Sequence, residues 1–177
     1  MSAPRIEIEL SKLAHNAQKL TALYSAKGIS LTAITKAVCG SPQIARVLLD
    51  SGIHSLGDSY IANIQRMRES GLDAQYILLR SPMASDIQRV VEFADVSLNT
   101  ESAIIRLLGE HALKHGKVHQ IILMIELGDL REGILPSEAH SIVKETMGIP
   151  GVKLVGIGTN LACFGGVKPT DRNMREL

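Results

Sequence analysis

The sequence predicts an α/β fold built on a parallel sheet, and three observations predict it. Short apolar segments alternate with longer amphipathic ones along the chain. The short segments are nearly all apolar, as strands covered on both faces are. No GxGxxG or Walker sequence follows any of them, so the nucleotide-binding forms of the doubly wound sheet lose support. A (β/α) barrel and a doubly wound sheet both fit the pattern.

The elements read in order as follows. Residues 6–10 alternate apolar and charged, as a strand with one wet face does. Ser11 can cap a helix whose apolar residues Leu13, Ala14, Ala17, Leu20 and Leu23 recur at helical spacing, and Gly28 ends it. Residues 31–38 read as a buried strand. Pro42 suits the first turn of a helix reaching Leu49, which Ser51 and Gly52 stop. Residues 55–57 make a very short strand, and a helix over 59–70 ends at Gly71. A third strand covers 76–79, and Ser81-Pro82 restarts helix. A fourth strand covers 95–98, followed by a helix over 101–115. Residues 118–127 form a long apolar strand, 136–147 a helix, and 154–161 the last strand. No linker, low-complexity tract or second domain interrupts the series.

Composition narrows the function classes. Net charge is +1, with Lys and Arg scattered, so no strong field draws nucleic acid or anionic membrane. Aromatics are 3% with no Trp, too few for a base-stacking platform. The two cysteines, Cys39 and Cys163, form no CxxC and no zinc-spaced cluster with histidine. No metal site is expected. Neither a signal peptide nor a membrane-long apolar run is visible, so the expectation is a cytoplasmic protein.

In a β/α barrel the chemistry lies at the C-terminal ends of the strands. Those ends carry Lys36, Asp58-Ser59, Arg80, Asn99, residues 126–131, and Thr159-Asn160. Capping of the next helix accounts for Asp58, Ser59 and Asn99. Lys36 has apolar or small neighbours on both sides. One reading is a desolvated amine with lowered pKa, fit for Schiff-base chemistry. The other is a lysine whose head reaches water at the barrel mouth. Arg131 lies in a glycine-flanked loop. Its fork suits an oxygen anion, and a surface ion pair with Asp129 or Glu132 is the alternative.

Four segments resemble a known family. Residues 6–16 look like the opening of the alanine racemase N-terminal domain. Residues 33–40 resemble its first barrel strand with the cofactor lysine. Residues 123–133 resemble the strand and loop that bring an arginine near the cofactor. Residues 156–164 resemble the later strand that passes beside the cofactor ring. Thr35-Lys36 with Cys39, Asp58-Ser59, Arg80-Ser81-Pro82-Met83, and the run from Gly158 to Cys163 are similar to the alanine/ornithine racemase branch. Their order and spacing together make the resemblance specific.

The resemblance implies a parallel (β/α) barrel of the alanine racemase N-terminal type, incomplete here with about six of eight strands. Residues 1–177 would be a partial pyridoxal-phosphate-binding domain, its remaining barrel units and C-terminal domain lying outside this chain. The implied activity is pyridoxal-phosphate-dependent racemisation of an amino acid through its Cα proton, with the 177-residue piece itself inactive. Lys36 would hold pyridoxal 5'-phosphate as a Schiff base and carry the proton on one face. Arg131 would hydrogen-bond the phenolic oxygen. Asn160, with Thr159 beside it, stands where alanine racemases set a histidine against the ring. Gly40 stands where they have a phosphate-binding tyrosine. Both departures point away from alanine as substrate. The implied partners are an amino-acid substrate and a second subunit in a homodimer, with no nucleic acid and no membrane. Rival readings are a decarboxylase or D-threonine aldolase of the same class, a pyridoxal-phosphate carrier without turnover, and a non-catalytic fragment. Two edges, at residues 31–38 and 154–161, would be left open, exposing residues such as Ile34 and Ile157.

Overall fold

A computed structural model describes residues 4–161 and 166–177. The fold is α/β, with six strands, all parallel, following one another in chain order. The chain divides into two compact units, Met1–Tyr76 and Ile77–Leu177, described here in turn.

The first unit holds α1 (Leu10–Ser25), β1 (Thr32–Ile34), α2 (Pro42–Asp50), β2 (Ser55–Asp58) and α3 (Ile61–Glu69), and it ends within β3 (Gln75–Leu78). β1 and β2 pair in parallel, Thr32 opposite Ser55 and Ile34 opposite Gly57. The two facing hydroxyls, Thr32 and Ser55, lie 2.7 Å apart. Pro42 opens α2 at its first turn, as its fixed φ favours. Ile44, Ala45 and Leu48 of α2 and Ile61, Ile64 and Met67 of α3 then bury one stripe of each helix.

Three expectations fail in this unit. Residues 6–9 form no strand, and Ile6 and Ile8 are exposed, so their alternation has no sheet to serve. Helix α1 starts one residue before Ser11, which therefore caps nothing, and among its apolar positions only Ala17 is buried. The strand expected over 31–38 stops at Ile34, because Thr35 turns the chain into a short 3₁₀ helix, Lys36–Val38.

The second unit contains α4 (Ile87–Phe93), β4 (Val96–Asn99), α5 (Ser102–Lys114), β5 (His119–Met124), α6 (Pro136–Met147), β6 (Val152–Gly158) and α7 (Asp171–Glu176). β3 pairs with β4, β4 with β5, and β5 with β6, all parallel. Its core is Val90 and Val91 of α4, Ile105, Leu108 and Ala112 of α5, and Ile121 and Leu123 of β5. Helix α6 matches its expected span. The helix expected to restart at Ser81-Pro82 begins later, as a 3₁₀ turn at Ala84–Asp86 leading into α4. The last strand is also displaced. It runs Val152–Gly158 rather than over 154–161, and a register shift leaves Val155 as an extra residue between Leu154 and Gly156. Not every strand is covered on both faces: Ile34 is 45% and Ile157 47% exposed.

Past β5 the chain makes a closed loop. Ile134 returns to donate to the Met124 carbonyl at 2.8 Å, and its own carbonyl accepts from the Glu126 amide at 2.9 Å. Gly133 makes that closure possible. Its φ is +133°, and a Cβ there would stand 2.5 Å from the Glu126 nitrogen.

Candidate active site

Lys36 opens the turn that follows β1, at the C-terminal end of the strand. It is exposed, and its ammonium has no hydrogen-bond or ion-pair partner among the described residues. The burial expected from its apolar neighbours is absent, because the strand ends before it; of the two readings, the structure shows the head in water. Thr35, one residue earlier, is fully buried. Its hydroxyl donates to Asp58 Oδ2 at 2.8 Å. Asp58 ends β2, is likewise fully buried, and accepts from the Tyr60 amide at 2.9 Å and from Asn63 Nδ2 at 3.0 Å.

Asp58 therefore does more than start a helix, the role the sequence suggested. The residue preceding α3 is Tyr60, with no side-chain cap; Ser59 does not fill that place either. Cys39 takes a left-handed φ of +51° and is exposed as a free thiol. A cavity of about 500 Å³ in this unit lies at the other end of the strands, lined by Thr21, Ile29, Leu31, His54 and Gln75.

The second unit supplies the other expected residues. Arg131 lies in the loop after β5, with Nε 3.5 Å from Asp129 Oδ2 and Nη2 3.1 Å from Glu132 Oε1. The ion-pair alternative is thus realised with both partners. Asp129 Oδ2 also accepts from Asn160 Nδ2 at 3.1 Å. The Asp129 side chain is only 7% exposed, against 49% for Arg131. Asp129 thus gathers Arg131 and Asn160 on one carboxylate. Thr159 is next to Asn160, just past β6, and its Oγ1 is buried without a hydrogen-bond partner. Lys36 belongs to the first unit and stands among its own neighbours there.

Two further strand-end residues behave differently from expectation. Asn99 does not cap α5. Its amide donates back to the Ser97 carbonyl at 2.8 Å and to the Ser97 hydroxyl at 2.9 Å. Ser97 in turn meets His119 Nε2 at 2.9 Å, and burial pushes the His119 pKa down to about 4. Arg80 is exposed after β3. The motif residues Ala162 and Cys163 lie outside the described residues.

The comparisons with known proteins bear on both units. Residues 8–177 match the family profile described as alanine racemase, N-terminal domain. The chain belongs to this family. The chain is 36% identical over 170 residues to the lysine racemase of Thermotoga maritima, covering 96% of this chain and 47% of that protein. It is 33% identical over 175 residues to the ornithine racemase of Acetoanaerobium sticklandii, covering 98% of this chain and 49% of that protein. The chain thus spans about half the length of these curated relatives. In three dimensions it matches the alanine racemase of Streptomyces lavendulae with a TM-score of 0.81, covering 99% of this chain and 47% of that one. At 19% identity this likeness speaks for the fold alone. The six parallel strands are therefore an incomplete barrel of the alanine racemase N-terminal kind. Among the described residues, no helix is long and apolar enough to cross a membrane. No group of three metal-ligating side chains occurs among them either.

Proposed function

We propose that this chain is the cofactor-binding barrel portion of a cytoplasmic, homodimeric, pyridoxal-phosphate-dependent amino-acid racemase. The observation that carries the reading is Lys36. It stands at a strand's C-terminal end, on a turn fixed from below, with an ammonium that has no partner among the described residues. A lysine that serves as nucleophile has to be free in this way. The second unit fits the same group. Thr159 Oγ1 is a buried hydroxyl without a hydrogen-bond partner, and the half-exposed Arg131 shares the Asp129 carboxylate with Asn160, the residue after Thr159.

When bound, pyridoxal phosphate supplies an aldehyde for an amine and an electron-poor ring that accepts charge developed at Cα. The chain's own residues do the rest. Lys36 would be the residue that holds the group through its aldehyde, and its amine would move a proton at the substrate Cα. Arg131 would donate toward the phenolic oxygen, and Asn160 and Thr159 would offer polar contacts to the ring. The substrate we assign is a basic amino acid. The relatives named lysine racemase and ornithine racemase support this, while Gly40 and Asn160, which depart from the alanine racemase pattern, argue only against alanine.

The test is racemisation by the full-length protein. L-lysine, L-ornithine and L-alanine are each incubated with it and pyridoxal phosphate, and the enantiomers are separated by chiral chromatography. The expected result is D-enantiomer from lysine or ornithine, lost in Lys36→Ala. Borohydride reduction followed by peptide mapping is expected to place the label on Lys36. A label on another lysine, or full activity in Lys36→Ala, overturns the assignment.

A further inference from the structure

We infer that Thr35 and Asp58 are positioning residues for Lys36, joining the two ends of the turn that carries it; this rests on the reading of Lys36 as the cofactor lysine. Thr35 is held at four points. Its amide donates to the Gly57 carbonyl at 2.9 Å, which continues the β1–β2 ladder by one residue. Its hydroxyl has a single proton. That proton goes to Asp58 Oδ2 at 2.8 Å in preference to the Gly57 carbonyl at 3.2 Å. Its carbonyl accepts from the amides of Val38 at 3.0 Å and Gly40 at 3.2 Å. The backbone on which Lys36 rides is therefore tied to Thr35 from both sides.

The far end of the turn is tied to the same carboxylate by another route. Gly40, at φ +60°, packs against Asn63 so closely that a Cβ would stand 2.7 Å from the Asn63 Cβ. Asn63 is oriented by donating to Asp58 Oδ1. Arg66 on the same helix also donates to the Cys39 carbonyl at 2.5 Å. Asp58 thus holds Thr35 with one oxygen and, with the other, the side chain on which Gly40 rests. Starting α3 requires only the contact to the Tyr60 amide. The other two donors come from Thr35, 23 residues back in the chain, and from within the helix. A buried carboxylate given three donors is well satisfied, and losing one leaves a costly gap.

The experiment uses Thr35→Val, which keeps the shape and removes the donor, with Thr35→Ser as the rescue. Two quantities are read on the protein. One is amide hydrogen exchange at Val38 and Gly40, which reports the turn without any cofactor. The other is the rate at which pyridoxal phosphate and borohydride trap Lys36, with exposed Lys27 as the internal control. Thr35→Val is expected to speed the exchange and slow the Lys36 trapping by about tenfold, while Thr35→Ser stays within roughly threefold of wild type and Lys27 is unmoved, since a hydrogen bond to a charged group is what is lost. If Thr35→Val does not fold, Asn63→Ala carries the same comparison from the other end of the turn. Unchanged exchange and unchanged trapping in a folded variant overturn the positioning role alone. A wild-type protein that traps no label at Lys36 overturns the cofactor reading and the positioning role with it.

Discussion

Asn160 donates to the same Asp129 oxygen that lies 3.5 Å from the Arg131 guanidinium. The two side chains sit 29 residues apart in sequence, one after β5 and the other after β6. The register of that strand pair brings Met124 opposite Gly158, so both loops leave the sheet at one level. A carboxylate between them fixes how far apart they can stand.

Removing that carboxylate is expected to loosen both. Asp129→Ala should cost about 1 kcal/mol of stability, chiefly the hydrogen bond to Asn160, since the half-exposed ion pair to Arg131 contributes little. Pyridoxal-phosphate binding should weaken more than stability does, because two of its proposed contacts lose their alignment. Asp129→Asn keeps an oxygen for Asn160 and should fall between. Urea denaturation and a cofactor titration measure the two effects. Equal affinity in Asp129→Ala and wild type would show that Asp129 does not align the pair.

Two glycines should respond very differently to an added methyl. At Gly133 an added methyl meets the Glu126 backbone at 2.5 Å, with a φ of +133° that L-residues rarely adopt. Gly133→Ala is therefore expected to cost roughly 2–4 kcal/mol or to open the Arg131 loop. At Gly156 nothing lies within 4 Å of the added Cβ. Gly156→Ala should change stability by less than about 0.5 kcal/mol, as uncrowded substitutions do. Thermal melts of the two variants make the comparison.

The sequence showed the order of elements well and the fine placement of the site less well. Helix α6 was legible to the residue, because Pro136 marks its first turn and its apolar positions keep helical spacing. The β1 end was not. An apolar run such as 31–38 has no period that separates strand from a following turn. The decisive contact, Thr35 to Asp58, spans 23 residues and leaves no local trace. The same limit hid one half of what Asp129 does. Its neighbour Arg131 was visible within the loop, whereas Asn160 reaches Asp129 only through the β5–β6 pairing. Residues 6–10 show the opposite error, an alternating pattern with no partner strand among the described residues. Position at the strand ends picked out Lys36, Arg131, Thr159 and Asn160, and the family resemblance gave them their expected roles; the contacts of Asp58 and Asp129 came from the structure.

His119 should give the stability a distinct acid limb. Burial lowers its pKa from 6.5 to about 4, with Asp95 opposing and Lys117 adding to the shift. Between those values the unfolded chain binds the proton and the folded chain does not. Stability contributed by neutral His119 is thus full above the unfolded pKa and is lost as pH falls toward the folded one. From about pH 7.5 to about pH 5 the loss should be on the order of 2 kcal/mol. His119→Gln should lack this part of the slope, whatever its stability at neutral pH. Urea denaturation of both proteins at the two pH values is the measurement. Parallel pH profiles would rule out His119 as the cause.

The 177-residue chain should self-associate through its terminal strands. β1 pairs only with β2 and β6 only with β5 among the described residues, so each has one edge whose backbone groups meet no neighbouring strand. Both edges carry apolar side chains that water reaches: Ile34 on β1 and Val155 and Ile157 on β6. Exposed apolar residues on an unpaired edge invite pairing with another chain, and a two-fold pair is the commonest closed arrangement. Sedimentation of the wild-type chain over a range of concentrations should show a dimer or a larger species. Val155→Ser together with Ile157→Ser should shift it toward monomer at little cost to the fold, since both positions are already half in water. Ile121→Ser is the contrast. That residue is fully buried in β5, and its replacement should cost roughly 2–5 kcal/mol, unfolding the chain rather than dissociating it. A stable, well-folded wild-type monomer at every concentration would mean that these edges do not drive association.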